Sequence, residues 1–265
     1  MKKQILLPTI LMVIVTFFIV TGFTSTDKTP ATEYYQLTTY HCKTAEQIAI
    51  TNAYLKDIYV PALHKSGLTN IGVFSAIEND TVVDKRMFLL IPFSSMEKFE
   101  KFTQAITAGT LIKNDVGTYS DAAFNKPPFE RAETVLLKSF KDMLHLKKPQ
   151  LSTPVSERVY ELRSYESSTD KLYHQKVKMF NDGGEVKLFD KLHFNAVFFA
   201  EVIAGSHMPN LMCMTSFENK AARDEHWKNF GSDSTWKRIS TMPEYLNTVS
   251  KADIYFLRAT EFSDF

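Results

Sequence analysis

Glu161, Arg163 and Tyr165 stand two residues apart in a β-like stretch. Strand alternation puts all three on one face and Tyr160, Leu162 and Ser164 on the other. The second set suits a helix-packed core, which aims the first into whatever cavity the opposite face encloses. A carboxylate and a guanidinium so close, away from water, must pair or meet a ligand, because an unpaired buried charge is strongly unfavourable. One reading is an ion pair that fixes the scaffold. The other has Arg163 hold an anionic or carbonyl-bearing ligand, with Glu161, Tyr165, Asn195 and the turn residue His207 completing a ligand-binding set. His174 and His226 are then the candidate catalytic bases, since imidazole titrates near neutral pH. Surface placement or satisfied packing is the plainer account of each histidine.

Other chemistries find no support. The seven histidines include no His-x-x-x-His pair, and Cys42 and Cys213 lack partners at zinc spacing, so no metal is expected. The two cysteines occupy non-equivalent places and read as buried thiols. No glycine-rich phosphate loop and no Gly-x-Ser-x-Gly elbow occurs, so no nucleotide cofactor and no serine-hydrolase chemistry is expected. A formal charge of +1, with Lys and Glu mixed throughout, leaves no electrostatic footprint for nucleic acid. Phe198, Phe199, Phe217, Trp227 and Phe256 could line an apolar cavity, although ordinary core explains them as well.

The elements that must position these residues come twice. Tyr35-Gln36-Leu37-Thr38-Thr39-Tyr40 returns as Tyr160-Glu161-Leu162-Arg163-Ser164-Tyr165, 125 residues later. Residues 71–74 match 196–199 at the same offset, and 87–93 match 211–217 at 124. Each half reads strand, helix, strand, strand, helix, strand, the split βαβ order of a ferredoxin-like unit. The first-half strands are expected at 34–40, 71–77, 86–93 and 135–140. Those of the second half are expected at 159–165, 194–203, 211–217 and 254–262. The first helix, 45–65, is expected to be interrupted or to end near Pro61, and Asn181-Asp182-Gly183-Gly184 interrupts the helix after Thr169. Both faces of these sheets are partly apolar, so each needs cover, one by helices and one by the partner sheet. The expected fold is therefore α+β: two tandem ferredoxin-like domains, 33–146 and 157–265, joined by a linker at 147–156. Curled face to face, they form an α/β barrel of the dimeric type within one chain. Gln36 and Thr38 are milder than Glu161 and Arg163, so any pocket should centre on the second half.

Lys2 and Lys3 precede an apolar run from Ile5 to Val20, too short to span a bilayer comfortably. Residues 1–22 read as a cleaved export signal or a retained anchor, and 23–32 as a flexible tether. An exported, periplasmic or extracellular location follows, with membrane contact only through an uncleaved N-terminus.

Val159-Tyr160-Glu161-Leu162-Arg163-Ser164-Tyr165 resembles the opening motif of the NIPSNAP family. Gly205 and Pro209-Asn210 before a strand, then Phe217 to Arg223 and Trp227, continue the resemblance. It covers residues 159–262; the first half fits more faintly, since Thr38 and Gln36 replace the Arg and Glu. The resemblance implies a dimeric α+β barrel fold and no universal catalytic set. Three functions remain open: binding of a small, partly apolar ligand or a protein partner, possession of cofactor-independent monooxygenase or isomerase activity, and a structural or self-associating role, including a homodimer.

Overall fold

In the computed structural model, which describes residues 31–112, 117 and 119–265, eight strands close into an antiparallel barrel. The strands are β1 (Tyr34–Cys42), β2 (Gly72–Ala76), β3 (Lys85–Phe93), β4 (Arg131–Ser139), β5 (Val159–Glu166), β6 (Phe198–Ala204), β7 (Asn210–Phe217) and β8 (Lys251–Ala259). Around the barrel they run β1-β3-β2-β8-β5-β7-β6-β4. Each half contributes four neighbouring strands, and the halves meet at two seams. One joins β2 to β8 through Phe74–Ala76, and the other joins β4 to β6 with a register shift between Leu136 and Leu137. The expected signal and most of the expected tether lie outside the described residues.

The closed barrel agrees with the sequence expectation, but the assignment of strand faces is reversed. Alternate residues of all eight strands form one packed interior: Tyr35 and Leu37, Phe74, Phe88 and Leu90, Val135 and Leu137, Tyr160 and Leu162, Phe198, Met212 and Met214, and Leu257. Tyr160 and Leu162 therefore point into the barrel. Glu161, Arg163 and Tyr165 point outward, under the helices. Both faces are apolar enough to be buried, so alternation alone could not say which was inside.

The helices cover the outer face. In the first half they are α1 (Ala45–Tyr54), α2 (Val60–Lys65) and α3 (Met96–Thr107). Thr44 caps α1 in a reciprocal box with Gln47. The interruption near Pro61 is a π turn at Leu55–Tyr59, which carries the chain from α1 into α2. Pro61 has no N–H to donate, and the wider turn just before it absorbs the mismatch. In the second half, α4 (Asp170–Phe180) starts on Thr169, whose hydroxyl accepts from the Leu172 N–H. It ends before Gly183-Gly184, as expected, and α5 (Glu185–Lys191) follows. Asn219 caps α6 (Lys220–Ser232), and α7 (Ser234–Ile239) is a helix the sequence reading did not include. Phe180, Phe189, Phe194, Phe199, Phe217 and Phe230 form the second-half outer core with Cys213. Both cysteines are buried free thiols, and burial pushes Cys213 up to about 12 and Cys42 up to about 11.

Candidate functional site at the barrel mouth

The interior changes character along each strand. On β1 the inward residues run Tyr35, Leu37, Thr39, His41, from fully buried aromatic to half-buried imidazole. Register places Arg86 opposite His41 and Glu133 opposite Thr39. Across the barrel, Glu166 faces Asn210 and Lys251, and Ser164 faces Asp253. At one end, then, the apolar filling gives way to a polar mouth around a cavity of ≈ 300 Å³. Leu37, Phe88, Val135 and Met212 form its apolar depth.

Ion pairs fix the rim. His41 Nδ1 lies 3.0 Å from Asp84 Oδ1, and His41 Nε2 lies 4.0 Å from Glu133. Arg86 donates to Asp84 through Nε at 2.8 Å and Nη2 at 2.7 Å and lies against the Tyr255 ring, 4.9 Å from its centroid. Burial alone would raise the Asp84 carboxyl; hydrogen bonds from Arg86 and His41 outweigh it, so Asp84 stays ionised below the usual carboxylate range. In the tautomer that carries its proton on Nδ1, toward Asp84, neutral His41 keeps its Nε2 lone pair, 4.0 Å from Glu133, for use as a base. On the far side His207 Nδ1 lies 3.0 Å from Glu166, and Lys251 reaches Glu166 at 3.2 Å and Asp253 at 2.7 Å. Ser206 donates to Glu133, so the β6–β7 turn leans over the opening.

Of the candidate ligand-binding and catalytic residues read from the sequence, only His207 lines this mouth. Glu161, Arg163 and Tyr165 do come together, but beneath α6. Glu161, fully buried, accepts from Arg163 Nε at 2.6 Å, Arg223 Nε at 2.7 Å, Arg223 Nη2 at 2.8 Å and Trp227 Nε1 at 2.9 Å. Arg163 also donates to the Tyr165 hydroxyl at 2.7 Å and stacks on Trp227, 3.7 Å from the ring centroid. Burial alone would raise Glu161, yet the Arg223 hydrogen bonds and the Arg163 charge bring it below its ordinary value. Every group in that network has a partner, which is the scaffold-fixing pair among the two sequence readings.

The remaining candidates are scattered. His174 is exposed on α4, beside a cleft shared with Glu201. His226 Nδ1 lies 2.9 Å from the Leu192 carbonyl, packed edge-on against Phe194. Asn195, at φ 45°, lines a separate cleft of ≈ 460 Å³ with His193 and Lys187. The expected pairing of an Arg163 oxyanion clamp with a His174 or His226 base is therefore not assembled: His174 stands on α4 beside another cleft, and the His226 ring, on α6, is held by the Leu192 carbonyl and Phe194. The pocket's histidine base, guanidinium and nearest carboxylate come from the first half, not the second. His41, Asp84, Arg86 and Glu133 were missed in the sequence. The signal available was the polar gradient Leu37, Thr39, His41 along one strand face. Among the described residues no group of three or more His, Cys, Asp or Glu side chains is arranged to hold a metal ion.

Residues 160–264 match the NIPSNAP family model. The NIPSNAP match thus spans β5 through β8 and leaves the first half, with His41, outside it. Three solved structures are similar in fold over most of the chain. One, from Lactobacillus acidophilus and assigned provisionally as a monooxygenase, has 10% identity over 86% of this chain and 94% of its own, with a TM-score of 0.53. A second of that provisional assignment, from Fusobacterium nucleatum, has 6% identity over 87% and 93%, with a TM-score of 0.52. An anthrone oxidase-like protein has 8% identity over 86% and 92%, with a TM-score of 0.51. At such identities the likeness is one of fold. A comparison with curated proteins gives no match.

Proposed function

We propose that the chain is an enzyme of the cofactor-independent monooxygenase or isomerase class, acting on a small carbonyl-bearing compound held in the barrel mouth. The observation that carries this reading is His41, fixed through Nδ1 by Asp84 and lining a pocket with an apolar depth. His41 Nε2 removes a proton from carbon next to the carbonyl. Arg86 Nη1 has no protein hydrogen bond among the described residues and is free to donate to the enolate oxygen that develops. An isomerase returns the proton to another carbon. An oxygenase lets the carbanion reduce dioxygen, so that a CH₂ group and O₂ become a carbonyl and water. The oxygen-linked names of the barrel neighbours favour the second course.

Two finer statements belong to the same proposal. The halves, 33–146 and 157–265, are copies of one ferredoxin-like unit, supported by the shared element order and by matching strand positions in the barrel. The protein is exported, supported by the basic and apolar character of residues 2–20.

The test uses a panel of small ketones and phenols, with dioxygen uptake and deuterium incorporation from D₂O read together. At least one compound should exchange its acidic C–H, and His41→Gln should slow that exchange by about 100-fold or more. A panel without exchange, or exchange indifferent to His41, contradicts the reading. A binder without chemistry would retain a compound and exchange none of its protons.

A further inference from the structure

Three neighbouring strands set three different polar groups side by side on the inner wall of the mouth. His41 is carried by β1, with Arg86 opposite it on β3 and Glu133 opposite Thr39 on β4. The imidazole thus stands between a guanidinium on one flank and a carboxylate on the other, and all three line the same cavity. Arg86 is matched by Asp84. Glu133 has no such match. Its Oε1 accepts from Ser206, while Oε2 lies 4.0 Å from His41 Nε2, beyond hydrogen-bond distance, and among the described residues nothing else donates to it. With the His41 proton on Nδ1, Nε2 is an acceptor as well, so two acceptors face each other across that gap without a donor. A second proton on His41 would close the gap only by removing the lone pair that makes it a base. Arg131, which register also sets opposite His41, donates to the Glu130 carbonyl at 2.6 Å and is not part of the cavity wall.

We propose that Glu133 Oε2 binds the ammonium group of the ligand, which narrows the carbonyl-bearing compound to one with an amine on the carbon next to the carbonyl. In that pose the ammonium donates to Glu133 and the carbonyl oxygen accepts from Arg86. The carbon between them then lies against His41 Nε2, because β1 lies between β3 and β4. That carbon bears the acidic C–H, and the cation beside it stabilises the carbanion that forms. Leu37, Phe88, Val135 and Met212 take the apolar remainder of the ligand. The charge of the wider mouth favours the same class. With both histidines neutral, Asp84, Glu133, Glu166 and Asp253 outnumber the permanent cations Arg86 and Lys251. An acid of the same size would bring its carboxylate against Glu133 and is rejected by like charge. The carbonyl half of this ligand rests on the function proposed above; the ammonium site itself does not.

The experiment uses the full chain and three probes of one skeleton that lack a carbonyl: phenethylamine, phenethyl alcohol and phenylacetate. Binding is read by titration calorimetry at low ionic strength. The amine should bind about tenfold or more tighter than the alcohol, with the acid weakest. Glu133→Gln should remove the advantage of the amine, and Glu133→Asp, which keeps the charge, should retain it. A preference for the acid, no preference, or an amine advantage unchanged in Glu133→Gln would overturn the proposal. Deuterium exchange at the CH₂ of phenacylamine is measured apart from binding. An amine preference without exchange supports the ammonium site and counts only against the reaction. Exchange of simple ketones without any amine preference supports the reaction and overturns the ammonium site.

Discussion

At Glu161, burial and charge pull in opposite directions, and charge wins. A carboxylate with no solvent contact would ordinarily hold its proton, but Arg223, Arg163 and Trp227 all donate to it. Its folded pKa therefore lies below its unfolded value of about 4.3. The sign follows: the stability it contributes is fully present above that unfolded value and is lost as pH falls through the folded one. Glu161→Gln leaves two guanidinium groups short of their counter-charge and should cost about 3–5 kcal/mol at neutral pH. Denaturant unfolding as a function of pH should show that deficit shrinking on acidification below about pH 4. A deficit that grows on acidification would mean Glu161 is protonated in the native protein. His41 and Asp84 make the contrasting case, since their pair lines a cavity and leaves Nε2 open to a ligand.

The elements explain why some of this was legible in the sequence and some was not. Helix starts were readable because Thr169 and Asn219 carry the capping oxygen in the chain itself. The stop after Phe180 was readable from Gly183 and Gly184. Gly184 has φ 88°, and a Cβ on Gly183 would sit 2.5 Å from the Met179 carbonyl oxygen. Strand faces were not readable. Tyr160 and Leu162 look like core beside Glu161 and Arg163, and they are core, but of the barrel and not of the helix layer. Aligning residues 71–74 with 196–199 also set Phe74, which points inward, against Phe199, which packs under the helices. The mouth was hidden for a different reason. Its groups come singly from strand ends far apart in sequence, and only register brings them together. The β6–β7 turn that overhangs it depends on Gly205, at φ 145°, where a Cβ would lie 2.6 Å from Val135 Cγ1. Gly205→Ala should therefore cost about 1–3 kcal/mol in unfolding measurements, whereas the same change at Gly231, where a Cβ meets nothing, should not destabilise. Equal effects at the two sites would remove the steric argument.

At the scale of the whole molecule, one interior is shared by both halves. Tyr35 packs on Phe198, and Phe74 on Tyr160, so aromatic contacts cross between the halves inside the barrel. Neither half can keep that face from water alone. The chain should unfold in a single transition by far- and near-ultraviolet circular dichroism; two resolved transitions would mean the halves hold separate cores. The same closure gives the mouth its asymmetry, because positions at matching places in the sheet carry His41, Arg86 and Glu133 on one side and Glu166, Asn210 and Asp253 on the other. Among the described residues no helix is long and apolar enough to cross a membrane.

The most direct measurement compares solvent deuterium incorporation and denaturant stability in the parent protein, His41→Gln and Glu161→Gln, using one exchanging compound. The division between reactive mouth and structural network predicts that His41→Gln loses about 100-fold or more in rate with its stability intact. Glu161→Gln should keep the rate of its folded fraction while losing stability. The opposite pattern, with chemistry lost at Glu161 and kept at His41, would place the reaction under α6 and contradict the account.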